Sequence, residues 1–176
     1  MTLALPFHRF RLAPGWIAAA ALACLGGCLL LDPRHGDSVW VYHPKAALAQ
    51  DNSLGDMYRR MDVEYPPGAV YVIVGTEWLS RRLTDTPGPR TYRLLFRLEM
   101  LLAAAMIFAI LRRLLPTGSS ESIGRLLLFP AGLLFARHVA FDRPDLLVGL
   151  LMLASLELLN AGRRKSAVGL LAAGAV

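Results

Sequence analysis

The sequence predicts an all-α fold, a polytopic bundle of transmembrane helices with a long first extracytoplasmic loop. Hydrophobic residues make up 55% of the 176 residues and charged residues only 18%, and the mean hydropathy is +0.46. These values are apolar for a soluble domain of this length. The apolar residues also form several separate runs that end in arginines. The combination is typical of an integral membrane protein.

The net charge of +6 and the pI near 9.9 raise the question of nucleic-acid binding. The arginines stand at the ends of apolar runs and do not cluster with stacking aromatics, so we interpret them as topology signals and predict no nucleic-acid partner. The only cysteines, Cys24 and Cys28, lie inside the first apolar run. There they are expected to act as small buried hydrophobic residues.

The first predicted span covers residues 14–31 and follows Arg9 and Arg11. It fits either a signal peptide or a retained helix, and residues 25–28 resemble a lipoprotein cleavage box. The apolar run continues past Cys28, however, and further spans follow. A signal anchor with a cytoplasmic N-terminus is therefore favoured.

Residues 32–91 are predicted to form the outer loop, whose first part is rich in acids and aromatics. A loop of this length is more often functional than a simple connection. Residues 52–55 have the composition of a turn. Residues 68–79 are apolar, but a helix of about twelve residues is only roughly 18 Å long, short of the ~30 Å hydrocarbon core. We expect a juxtamembrane helix at the outer interface.

Further spans are predicted at residues 92–111, 123–141 and 146–161, with the start of another at 166–176. Basic clusters follow at residues 112–113 and 163–165, and the positive-inside rule assigns both to the cytoplasm if 123–141 returns outward, with Pro130 as a kink. Arg93 and Arg97 are expected to snorkel to the outer interface. Because the last run is too short to cross, the chain is interpreted as the N-terminal part of one larger domain.

The order of features carries a resemblance to a known family. After one span comes an outer loop with Asp37 early and Tyr65-Pro66-Pro67-Gly68 late, and Phe141-Asp142 precedes a later helix. This order resembles the N-terminal half of polytopic GT-C-type glycosyltransferases, most closely glycosyltransferase family 87, the polyprenol-phosphate-mannose-dependent enzymes. The chain departs from the pattern in an extra aspartate, Asp145, and in lacking the C-terminal half.

The resemblance implies an enzyme of the bacterial cytoplasmic (inner) membrane. It would move a mannose-like hexose or pentose from a polyprenyl-phosphate donor to a hydroxyl of a glycolipid or glycan acceptor on the outer face. Asp37 corresponds to the catalytic aspartate of the family, which acts as general base. A carboxylate that takes the proton of an attacking hydroxyl is typically worth about 10² to 10⁴ in rate.

Other site residues follow from their chemistry beside that resemblance. Glu64 and Asp142 are candidates for orienting the acceptor or binding a metal, although two acids cannot define a metal site and the need for a divalent metal stays open. A guanidinium fork suits phosphate, so three arginines are candidates for the donor phosphate, with interfacial anchoring as the alternative. They are Arg59, Arg60 and Arg81. The loop-positioning residues are Tyr65, Pro66 and Pro67, because a double proline stiffens the chain.

The alternative function is a non-enzymatic integral membrane protein, either a transporter segment or a scaffold. A transporter is expected to place ionisable groups or broken helices near the midplane, often in paired repeats. Here Pro130 interrupts one helix without a counterpart, and the acids gather in loops. Convergence of Asp37, Glu64 and Asp142 at one outer site would favour the enzyme.

Overall fold

The computed structural model describes residues 14–31, 36–60, 67–115 and 120–175, and over these residues the all-α prediction is confirmed, since none of them lies in a strand. The helices in chain order are α1 (Pro14–Leu31), a π-helical turn (Ser38–Tyr42), α2 (His43–Asp51), α3 (Leu54–Arg60), α4 (Pro67–Leu83), α5 (Pro89–Leu114), α6 (Ser120–Phe135), α7 (Arg137–Ala140), α8 (Asp145–Asn160) and α9 (Arg164–Ala175).

Helix α5 is the centre of the fold, because α1, α4, α6, α8 and the π-helical turn all pack against it. Its buried stripe repeats every fourth residue, at Tyr92, Phe96, Met100 and Ala104, which is the spacing that keeps side chains on one helix face. The ring of Tyr42 lies 5.8 Å from that of Phe96. The outer-loop residues are thereby fixed to the N-terminal half of α5.

Two helices are longer than their sequence predictions. The span predicted at 92–111 begins at Pro89, because Gly88 is extended and a proline at the first helical position needs no N–H partner. The helix predicted at 68–79 is α4, which runs through Arg81 and Arg82 to Leu83. The two arginines therefore extend the helix instead of ending it.

The span predicted at 123–141 is divided in the structure. Helix α6 accommodates Pro130 and continues to Phe135, and α7 starts after Ala136. Ala136 donates its N–H to Gly132 O of the first helix at 2.9 Å, and its own carbonyl accepts the N–H of Val139 and Ala140 in the second. The prediction of one continuous helix here is wrong, and the interruption lies six residues beyond the proline.

The membrane prediction is supported over the described residues by one helix. Among the helices whose residues are described throughout, side chains included, only α5 is both long enough and apolar enough to cross a bilayer, and the core helix of a soluble protein can have the same length and composition. Helices α6 and α8 have 16 residues each, about 24 Å at 1.5 Å per residue. A multi-pass bundle stays a prediction.

Helices α5 and α8 run in the same direction. Near the start of α5, Arg97 bonds Asp142, which lies just before α8. Near the ends of both helices, Arg113 lies 3.6 Å from Glu157. Because contacts join start to start and end to end, the basic residues in the last turn of α5 and those after α8 lie at the same end of the protein.

Candidate functional site

Asp37 lies at the start of the π-helical turn, where the backbone is held by local hydrogen bonds. The carbonyl of Gly36 accepts the N–H groups of Val39 at 3.0 Å and Trp40 at 3.3 Å. Ser38 and Val39, the first two residues of the turn, are buried. The position of Asp37 is therefore set by an anchored backbone.

A second turn, residues 141–144 between α7 and α8, faces this segment. Its flanks are the fully buried side chains of Phe141 and Pro144, and the N–H of Arg143 bonds the carbonyl of Val139 at 3.1 Å. The two residues between these flanks differ in environment, since Asp142 is buried and Arg143 is exposed. We call residues 141–144 the acidic turn.

Asp142 makes a buried ion pair with Arg97 of α5. The guanidinium donates from Nη2 to Oδ2 at 3.0 Å and from Nε to Oδ1 at 3.2 Å, and both residues are at most 3% exposed. Ser38 Oγ also donates to Oδ1, at 2.9 Å. The expectation that Arg97 snorkels to the interface is therefore wrong, because its charge is neutralised inside the protein.

Asp37 makes a shorter, more exposed ion pair with Arg143. Nε of Arg143 donates to Oδ2 of Asp37 at 2.6 Å, and the two side chains are 46% and 39% exposed, respectively. Asp37 thus combines a fixed partner with access to solvent. Such a carboxylate can receive a proton from a bound hydroxyl group. The carboxylate of Asp142 is buried and cannot reach such a hydroxyl group.

Two of the three arginines predicted to bind a donor phosphate contact carboxylates in the structure. Arg59 donates to Asp56 at 2.8 Å within α3, and its side chain is largely exposed. Arg60, the last residue of α3, is exposed. Arg81 joins α4 to the end of α2, donating to Asp51 at 2.6 Å and Glu77 at 2.7 Å. A phosphate would have to compete with these acids.

The contact between Asp51 and Arg81 has an electrostatic consequence. The hydrogen bond from the guanidinium lowers the pKa of Asp51 below its ordinary value, and the two carboxylates together raise the pKa of Arg81. Beside them the buried Glu77 faces His43, with 3.5 Å between Oε2 and Nε2. This α2–α4 cluster is a second polar site, separate from the contacts of Asp37.

Several predicted site residues are outside the described part of the chain. Glu64, Tyr65 and Pro66 lie outside the described residues, and Pro67 is described as the first residue of α4. Their predicted roles stay predictions. Within the described ranges, no group of three or more His, Cys, Asp or Glu residues could hold a metal ion.

Sequence reasoning singled out Asp37 and Asp142 but missed their partners, which are Ser38 and Arg97 for Asp142 and Arg143 for Asp37. Arg97 had a usable signal, because an arginine inside an apolar run is expected to face a counter-ion in the protein interior. Arg143 is adjacent to a candidate acid in the sequence. For Ser38 no local signal exists, since its partner is 104 residues away.

Comparisons with known proteins give no independent assignment. No family model matches the chain, and neither a curated protein nor a solved structure matches it. The candidate site therefore stands on its own geometry, with Asp37 as the exposed acid and the acidic turn as its support.

Proposed function

We propose that this chain is part of a GT-C-type membrane glycosyltransferase of the cell envelope. In this proposal a mannose-like hexose or pentose moves from a polyprenyl-phosphate donor to a hydroxyl of a glycolipid or glycan acceptor, on the outer face of the bacterial inner membrane. The observation that carries the proposal is the contact between Asp37 and the acidic turn, 106 residues away. It joins the two loop segments whose acids the resemblance links to the site.

In the proposed reaction Asp37 acts as general base. The acceptor oxygen attacks the anomeric carbon, the bond from that carbon to the phosphate oxygen breaks, and its electron pair leaves with the polyprenyl phosphate. The hydroxyl proton passes to Asp37. Since Arg143 engages Oδ2, the proton is assigned to Oδ1. The guanidinium also fixes the carboxylate orientation, so little reorganisation is needed.

Exposed apolar surface supports a membrane location for this enzyme. Large hydrophobic side chains are exposed along three helices, among them Leu102 and Met106 on α5, Leu128 and Phe135 on α6, and Met152 and Leu156 on α8. Phe135 is 92% exposed. Lipid would cover these side chains, whereas a soluble monomer would leave them in water. In the proposal the bilayer and further helices are the partners of this surface.

The second candidate function is a non-enzymatic membrane protein, a transporter or scaffold. The observation in its favour is that Asp37 and Asp142 are both paired with arginines. Pairs of this kind hold helices together without any chemistry. In that case the acidic turn joins the outer loop to α5 and α8 and has no substrate.

The test is sugar transfer from a polyprenyl-phosphate donor in membranes that contain the complete protein. Asp37→Asn keeps the shape and still accepts a hydrogen bond from Arg143, but it is not a base. We expect transfer to fall by roughly 10² to 10⁴ while donor binding survives. Wild-type transfer by Asp37→Asn would contradict the base assignment, and no transfer by wild type would favour the non-enzymatic function.

Asp51→Asn is the matched control for that experiment. Asp51 is an exposed acid that accepts from an arginine at 2.6 Å, as Asp37 does. After the change, its partner Arg81 still donates a hydrogen bond to the carboxylate of Glu77. We expect transfer close to the wild-type rate, so a loss shared by both variants would be attributed to general damage.

A further inference from the structure

Two adjacent residues of the acidic turn hold two adjacent residues of the outer loop. Asp142 accepts from Ser38, and Arg143 donates to Asp37. Because two neighbouring side chains of each segment are paired, the contacts constrain the rotation of the outer-loop segment as well as its distance from the acidic turn. We call the contacts among Asp37, Ser38, Asp142 and Arg143 the turn clamp.

The turn clamp is itself anchored, because the carboxylate of Asp142 cannot move independently. Arg97 holds both of its oxygens from α5, the central helix. Charge-assisted bonds in a fork geometry fix orientation as well as distance. Because this group is buried and fully engaged, its contribution is to hold the outer loop and not to meet an acceptor or a metal.

Gly36 permits this contact by having no side chain. A Cβ at position 36 would overlap Cγ and Oδ2 of Asp142, whereas a Cβ at Gly149 in α8 has nothing within 4 Å. The loop backbone therefore lies directly on the buried carboxylate. Any larger residue at position 36 must displace either Asp142 or the segment that carries Asp37.

We infer that Asp142 is the positioning residue for Asp37, acting through Ser38 and the close approach of Gly36, with Arg97 as its anchor. The inference rests on the proposed function, since it assigns the clamp to the orientation of the general base. From the sequence, Asp142 was expected to orient the acceptor or to bind a metal. The inference replaces that role with the positioning of Asp37.

The first test shifts the loop without removing a polar group. Gly36→Ala in the complete protein is expected to lower kcat roughly 10- to 100-fold, the effect of misplacing a catalytic group by about 1 Å, and to leave the donor KM unchanged. Gly149→Ala, the matched control, is expected to retain wild-type kcat and KM. Full kcat in Gly36→Ala would overturn the inference, as would a loss that appears only in KM.

The second test needs no activity. Ser38→Ala, Asp142→Ala and the double variant are compared by thermal unfolding of the complete protein in detergent. If the clamp exists, the double variant loses clearly less in Tm than the two single losses together, because each change removes the same contact. Additive losses would overturn the clamp.

The two tests together separate failure of the inference from failure of the proposed function. An active wild type with additive Tm losses would overturn the clamp alone. An inactive wild type would overturn the glycosyltransferase proposal, and with it the assignment of the clamp to catalysis, even if the Tm losses were not additive. Non-additive losses with a kcat-specific defect in Gly36→Ala are the result that supports both.

Discussion

At the scale of single residues, two aspartates near each other have opposite properties because of their depth. Asp142 is buried and accepts hydrogen bonds from Arg97 and Ser38, whereas Asp37 forms an exposed ion pair with one arginine. The sequence indicated both acids through their place in the loops. It could not indicate which one would be buried, because burial depends on how α5 and α8 pack.

The difference in depth predicts different effects on stability. Asp142→Ala leaves the Arg97 guanidinium buried without its counter-ion, and removing one partner of a buried pair typically costs about 3–5 kcal/mol of unfolding free energy. Arg143→Ala breaks the exposed pair, which is worth less than about 1 kcal/mol. Denaturant unfolding in detergent micelles measures both changes. Equal losses would contradict the assigned burial.

The contact of Asp51 with Arg81 predicts a small dependence of stability on pH. Because the pKa of Asp51 is lowered in the folded state, the pair stabilises the protein above the ordinary value of 3.8, and the contribution is lost as pH falls through the folded-state pKa. The Tm difference between wild type and Asp51→Asn should therefore shrink below about pH 4. A difference that is unchanged at pH 2 would contradict this expectation.

At the scale of elements, the helices were more predictable than their ends. Long apolar runs predicted the positions of α5 and α8, because composition over many residues outweighs local detail. The residues predicted as a turn at 52–55 instead include the start of α3, where Ser53 Oγ accepts the N–H of Asp56 at 3.0 Å and donates to its carboxylate at 2.7 Å. The Ser-x-x-Asp pattern of this N-cap was readable in the sequence.

Helix α4 gives a prediction at this scale. Glu77, Arg81 and Arg82 lie in its C-terminal half, which leaves an uncharged apolar stretch of residues 68–76 only about 14 Å long, so we expect both of its ends on the outer side. Tyr71 and Asp85, near either end, are both exposed. Cysteines at these two positions should both react with an impermeant reagent added outside. Reaction at one end alone would indicate that α4 crosses the membrane.

At the scale of the whole molecule, polar contacts mark two ends. The acidic turn and Arg97 lie near the start of α5, and Arg113 pairs with Glu157 near its end. Along α5 these arginines are 16 residues apart, about 24 Å, and mostly apolar helix separates them. The charge clusters suggested this polarity in the sequence, whereas the parallel packing of α5 and α8 required tertiary contacts.

This polarity predicts the orientation of the protein in the membrane. We expect residues 112–113 and 163–165 in the cytoplasm and the segment that carries Asp37 outside. In a background without Cys24 and Cys28, a cysteine at Asn52 should react with an impermeant external reagent and one at Arg164 should react only after permeabilisation. The reverse pattern would overturn the topology.

The π-helical turn makes the outer loop sensitive to chain length. The N–H of His43 bonds the carbonyl of Ser38, five residues back, so this turn holds one residue more than an α-helical turn would. Deleting one residue here would restore ordinary helical winding without rotating the preceding segment, because four residues of an α-helix and five of a π-helical turn each close about one turn. Asp37 would then keep its direction towards Arg143 while α2 kept its packing, whereas each further deletion would rotate Asp37 by about 100° relative to α2. Orthologues that keep the clamp should therefore have at most one residue fewer between Gly36 and His43, and other insertions and deletions should fall elsewhere.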